Sequence, residues 1–278
     1  MKTFRVRYPT RNNKYDIDWM EIARRMGTIP NPTPEYLFVD EGQDLPKSFY
    51  IVLDLLRPKD LTVFADENQR ITKTNSTLQD IREALSLEDD DIIPLTKNYR
   101  NTRPIAEVAA RFYVRGIDTG IPELPTRDGN RPTYHALGSL EAQGEFVARY
   151  ATNNPTIEIG VVVETKVQQL DIYSIIKKYA DTIHLSMYIS EDETHGDETA
   201  LKIGVPGIKI INDQSAKGTE FDTVFLIDVD RRRSRSADED AMKMFVLCSR
   251  ARTSLFFLGR SQVLPYVLRP AQPLIDLA

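Results

Sequence analysis

YLFVDEGQDLPKSFYIVLDLLRPKDLTVFADENQ, residues 36–69, is the stretch whose reading decides the fold. Its first five residues are an apolar run too short for a helix and best read as a buried strand. Pro46 breaks the chain, and residues 47–57 read as a helix. A second buried strand follows at 61–66. Each strand ends in acids with a glutamine close behind: Asp40, Glu41, Gln43 and Asp44 after the first, Asp66, Glu67 and Gln69 after the second. In an open α/β sheet, ligands bind beyond the carboxyl ends of the strands. Two adjacent carboxylates at that edge suit a nucleotide–magnesium site. One can hold the ion, directly or through water, and the next can position an attacking water. A single acidic turn after a strand is more often a solvated surface feature. Gln43 between the acids, and the return of the pattern at the next strand, weigh against that reading.

The alternation continues outward in both directions. Asp16–Met26 reads as a short helix ahead of the first strand, and 77–85 as a helix after the second. Asn101 or Thr102 is placed to cap a helix that has Pro104 in its first turn and runs to about Arg115. Further strands are expected at 132–137, 157–164, 182–189, 207–213, 223–230 and 253–259, with helices near 139–151, 166–180 and 238–250. The fold class is α/β, with mostly parallel sheets covered by helices on both faces. A charged break at Glu88–Asp91 sets a domain boundary near 87–97. The part before it holds two convincing strands, too few for a complete α/β domain. The loop from Ser190 to Pro206 is acidic and expected to be exposed. RRRSRS, residues 231–236, is a basic loop expected to be solvated.

Composition bounds what such a chain can do. Its 278 residues fit two modest domains, and a hydrophobic share of 41% is ample for a sizeable core. A net charge of −5 makes non-specific electrostatic binding of nucleic acid a poor candidate for its main function, although a local basic groove can still hold a strand. No stretch approaches the roughly 20 apolar residues of a membrane span, so no membrane partner is expected. The N-terminal MKTFRVRYPTRNNK has no apolar core of a secretory signal. The one cysteine, Cys248, excludes a disulfide framework and suits a reducing cytoplasm; it falls in an expected helix and reads as a core thiol. His135, His184 and His195 are scattered and do not suggest a metal site. Trp19 and Tyr15 read as packing residues.

Three later segments carry further chemistry. LTKNYRNTRPI, 95–105, puts Arg100 beside a helix start. QSAKGTEFDTVFLID, 214–228, puts a small-residue turn with Gly218, then Glu220, before a buried strand. VLCSRART, 246–253, puts Arg250 near a helix end. Singly, such arginines are most often surface ion-pair partners. Facing one site, they can stabilise charge on a transferring phosphoryl group.

Taken in order, DEGQD, ADENQRI, NYRNTRPI, QSAKGTEFD and VLCSRA resemble helicase motifs II to VI of the UvrD/Rep/PcrA group of superfamily 1, across roughly residues 36–260. The resemblance implies RecA-like domains: a partial first one over residues 1–86 and an essentially complete second one over 95–265, without the family's large 2B insertion. It implies an ATP-dependent DNA helicase or translocase that uses ATP and magnesium on single-stranded or partly duplex DNA. By position, Asp40 would hold magnesium and Glu41 would act as general base. Gln69 would contact the γ-phosphate, and Gln43 and Asp44 would couple motif II to motif III. Arg100 and Arg250 would act as arginine fingers from across a cleft. Gly218 and Glu220 would approach phosphates and ribose and couple them to DNA.

The departures from the pattern matter equally. No glycine in the chain is followed by lysine, so the phosphate-cradling GxxxxGK[ST] loop is absent from these residues. The stretch after ADENQRI lacks the usual base-stacking aromatic, and Gln214 and Thr219 replace the family's frequent histidine and leucine. The expectation is therefore the C-terminal part of a helicase motor. It would turn over ATP only with a P-loop half supplied by an N-terminal segment or a partner chain. The alternative is a catalytically inactive, helicase-derived module that binds DNA or protein.

Overall fold

The computed structural model describes residues 9–10, 17–25, 35–69, 75–113, 122–189, 201–232 and 236–278. They form two compact units that separate between Pro94 and Leu95.

In the first unit, β1 (Tyr36–Val39) and β2 (Asp60–Val63) form a parallel pair joined by α2 (Lys47–Leu56). α1 (Trp19–Arg25) precedes them and α3 (Leu78–Leu85) follows. Thr77 caps α3: its hydroxyl accepts the Asp80 N–H while the Asp80 carboxylate accepts the Thr77 N–H. Val39, Tyr50, Leu53 and Ile81 form a small core. The Trp19 ring packs edge-on against Phe49 with centroids 4.8 Å apart, the packing role expected of it; Tyr15 lies outside the described residues.

The second unit holds a seven-stranded sheet. Its strands are β3 (Thr133–Ala136), β4 (Glu158–Val163), β5 (Leu185–Met187), β6 (Gly207–Asn212), β7 (Phe221–Leu226), β8 (Ala251–Gly259) and β9 (Asp276–Leu277), in the order β5-β6-β4-β7-β8-β3-β9. Every pairing is parallel. The helices are α4 (Arg103–Ala110), α5 (Leu140–Asn153), α6 (Lys166–Tyr179) and α7 (Ala237–Ser249). Alternate strand residues enter two apolar layers. Val162, Ile211, Val224, Leu226 and Phe257 join α4 and α7 residues in one. Ile159, Val161, Ile208, Ile210 and Phe225 join α5 and α6 residues in the other. This is the two-faced coverage that uninterrupted apolar strands require.

Several boundaries differ from the sequence reading, each for a local reason. α4 ends at Ala110 rather than near Arg115, and Phe112 turns into the core. The strand expected at 223–230 runs from 221 to 226, because Asp228 takes a left-handed backbone (φ 49°) that starts a 3-10 turn. The edge strand expected at 182–189 shrinks to three residues. Residues past 265 form a run of 3-10 turns over Tyr266–Leu274 and then β9, which extends the sheet beyond β3. Within RRRSRS, Arg232 is a correction: its side chain is buried, with its guanidinium 2.5 Å from Asp213, while Lys243 lies 3.2 Å from the same carboxylate. Residues 233–235 lie outside the described set, as do His195 and residues 190–200 of the acidic loop. Leu201 of that loop is buried, and Gly204 donates its N–H to Glu158.

Candidate functional site

The register of the first unit pairs Tyr36 with Asp60 and Val39 with Val63, so both acidic turns leave the sheet at the same end. Backbone hydrogen bonds draw them together. Phe64 donates its N–H to Val39 O, and Gly42 donates to Phe64 O, both at 2.8 Å. A β-carbon at Gly42 would lie 2.6 Å from both Tyr50 Oη and Val63 Cγ1, so only glycine fits this crossing. The Tyr50 hydroxyl donates to Gly42 O, and burial drives its pKa well above the usual tyrosine range. Glu41 itself takes a left-handed backbone (φ 51°), which for a residue with a side chain stores strain typical of functional turns.

Gln43 ties the two turns through its side chain. It is fully buried, donates from Nε2 to Glu41 Oε2 at 2.6 Å, and accepts the Asp66 N–H at Oε1 at 2.9 Å. Gln69 donates to Asp66 Oδ2 at 2.8 Å. Asp44 accepts from Asn75 at 3.4 Å. Asp40 is exposed, with Oδ1 accepting the Glu41 N–H at 2.9 Å. The described residues contain no preformed cluster of three or more metal-ligating side chains. Magnesium does not need one: it retains waters and is held by one or two carboxylates together with substrate phosphates. A single exposed Asp40 beside an oriented Glu41 fits that mode of binding.

The second unit gathers the other candidate residues near the N-terminal ends of β7 and β8. Asn98 Oδ1 accepts the N–H groups of Arg100 and Asn101, at 3.0 and 3.2 Å, and so shapes the turn that carries Arg100. Arg100 donates from Nε to the carboxylate of Glu220. Gly218 has φ +75°, which favours glycine, and its missing β-carbon would face open space. Arg250 is buried to 2% exposure: Nε donates to Val246 O at 3.0 Å, and a terminal nitrogen approaches Thr219 O at 3.4 Å. Arg250 thus underpins the 216–220 turn, and Arg100 closes over it through Glu220. A polar cluster that the sequence reading did not single out lies just past the C-terminal ends of β7 and β8. There Arg260 grips Asp228 at 2.9 and 2.7 Å, while Gln143 donates to Asp228 at 2.7 Å. Burial pushes the Asp228 carboxyl upward, but the Arg260 and Gln143 bonds outweigh it and leave the pKa below the usual carboxylate range.

No family model matches the chain. No curated protein matches it either. Among solved structures it is similar to the C-terminal domain of a possible DNA helicase from Lactobacillus plantarum WCFS1, at 19% identity and a TM-score of 0.47, over 65% of this chain and 98% of that one. It is also similar to Arterivirus nonstructural protein 10, a helicase solved with DNA, at 12% identity and a TM-score of 0.38, over 63% of this chain and 37% of that one.

Near the arginines, one residue escaped the sequence reading and another was read in a different role. Tyr99, beside Arg100, is 82% exposed. A tyrosine between Asn98 and Arg100 is an unremarkable sequence signal, and only the turn geometry turns it outward. Asn101, weighed as a helix cap, is not one. Thr102 is the N-cap residue of α4, without a side-chain cap bond, and the Asn101 side chain reaches the start of β8. His135 stays half-buried against Phe146 and Phe256, and burial lowers its pKa. Cys248 is buried within α7, and burial raises its thiol pKa. No described helix is long and apolar enough to cross a membrane.

Proposed function

We propose that this chain is the C-terminal part of a UvrD/Rep-like superfamily 1 motor, an ATP-dependent DNA helicase or translocase with RecA-like units. The observation that carries the reading is the buried Gln43 amide, which joins the Glu41 carboxylate to the Asp66 backbone. A general base needs a fixed orientation toward its water, and Gln43 supplies it. A sensor needs a mechanical link between the base and the residue that feels the terminal phosphate. The path Glu41–Gln43–Asp66–Gln69 is such a link. In this reading Asp40 holds magnesium, which neutralises phosphate charge when bound. Gln69 meets the γ-phosphate, and Asp44 steadies the turn. In the second unit, Arg100 and Arg250 stabilise transferring charge, Gly218 lets backbone approach the phosphates, and Glu220 parks Arg100 until nucleotide arrives. Tyr99 offers a flat face to a base. ATP affinity depends on a phosphate cradle that these residues do not contain, so a P-loop segment or partner chain completes the site.

The test supplies that P-loop half, fused or in trans, and measures DNA-stimulated ATP hydrolysis. Glu41→Gln abolishes turnover while nucleotide binding persists, because Asp40 remains. Arg250→Ala slows turnover by about 10³ or more, the usual contribution of an arginine finger. Equal hydrolysis with both changes, or robust DNA-stimulated hydrolysis by the chain alone, sinks the proposal.

A further inference from the structure

Asn101 sits between the two arginine-bearing segments and is 1% exposed. Its Nδ2 donates to Ser249 O at 3.1 Å and to Ala251 O at 2.6 Å, the carbonyls on either side of Arg250. Its Oδ1 accepts from Asn98 Nδ2 at 2.9 Å, and Asn98 in turn holds the Arg100 N–H. A neighbouring backbone bond, Thr102 N–H to Arg252 O at 3.1 Å, runs beside it. Both amide hydrogens and the carbonyl oxygen of this one buried side chain are therefore spent on tying the turn of Arg100 to the backbone of Arg250. No other residue type of this size offers two donors and one acceptor in that plane.

We propose that Asn101 is a positioning residue that sets the register between Arg100 and Arg250, so that the two guanidinium groups answer to one phosphoryl group as a unit. The inference rests on the reading above, in which both arginines serve a nucleotide phosphate. A purely structural asparagine would influence stability alone. A positioning asparagine also couples the responses of the two arginines.

The experiment completes the full chain with the P-loop half, fused or in trans, and follows its arginine Nε–H signals by NMR while inorganic tripolyphosphate is added. In the wild-type chain the Arg100 and Arg250 signals move along a single binding curve. Asn101→Asp keeps the shape and removes both donors. The two curves then separate, and the affinity seen at Arg100 falls about tenfold, the scale of losing buried hydrogen bonds. Asn101→Ser, which keeps one donor, falls between. Val147→Ala, in the opposite apolar layer, lowers the melting temperature but preserves the single curve. A single, wild-type curve in Asn101→Asp, with Arg100→Ala still weakening the response, overturns the positioning role and leaves the functional reading standing. No response from either arginine in the wild-type chain overturns the reading and the inference together. Should Asn101→Asp fail to fold, Asn101→Ser carries the same test, and an unchanged shared curve in that variant overturns the positioning role.

Discussion

β1 and β6 are both strands of parallel sheets, yet they live in different environments. Every residue of β6 is buried, with Ile208 and Ile210 in one apolar layer and Ile211 in the other. β1 buries Val39 but leaves Phe38 at 70% exposure and Tyr36 at 58%. Beyond β2, Phe64 is also exposed. A parallel sheet is stable when both faces are covered. The second unit covers both with its own helices. Among the described residues of the first, α2 and α3 supply the helical share of one small core, and the aromatic side chains at 36, 38 and 64 stay outside it. The carboxylates that carry the proposed chemistry thus sit on the less self-sufficient unit, and the buried arginine on the sturdier one.

The most severe way to break this comparison is to separate the units. Residues 95–278 alone should melt in one cooperative transition by circular dichroism, whereas residues 1–94 alone should show none. A cooperative transition in 1–94 would mean its small core suffices. Next in size is Ile210→Ala, which opens a cavity between β6 and the α5–α6 layer and should cost about 3 kcal/mol in urea unfolding. Leu37→Ala, partly buried in the first unit, should leave that transition in place. Asp228→Asn strips a buried carboxylate from Arg260 and should cost the second unit about 3 kcal/mol. A loss below about 1 kcal/mol would show that Gln143 alone satisfies the site.

The same carboxylate sets a pH dependence. Its folded pKa lies below its unfolded value, so its contribution is complete above the unfolded pKa and disappears as pH falls through the folded one. Acid titration should therefore erode the wild-type second unit more steeply than Asp228→Asn; parallel acid profiles would refute this. The smallest effect concerns the bare aromatics. Phe38→Ser with Phe64→Ser should change stability by no more than about 0.5 kcal/mol, because these side chains are already exposed. The double change should nevertheless reduce self-association in light scattering, since exposed apolar patches drive it. Unchanged association would place the sticky surface elsewhere.

Much of the fold was legible in the sequence because its signals are local. Apolar runs of strand length marked β1, β4, β6 and β7; helical spacing of apolar residues marked α3, the break at Pro46 marked the start of α2, and the gaps between strands marked α5 and α6. The acids at 40, 41 and 66 could be assigned to strand ends because a strand's length follows from its apolar run. The partners of polar side chains could not be read in this way. Whether Arg232 meets solvent or Asp213, and whether Asn101 caps α4 or grips carbonyls about 150 positions away, depends on which strands become neighbours. β9 shows the same limit: a two-residue strand has no periodicity of its own and exists because β3 offers it an open edge. Sequence alone determined where most of the strands and helices form and which chemical groups sit near their ends, since those depend on neighbours along the chain. Tertiary structure alone decided the strand order, the burial of Arg250 and the Gln43 and Asn101 bridges, because hydrogen bonds between distant segments form only once the sheet has brought those segments together.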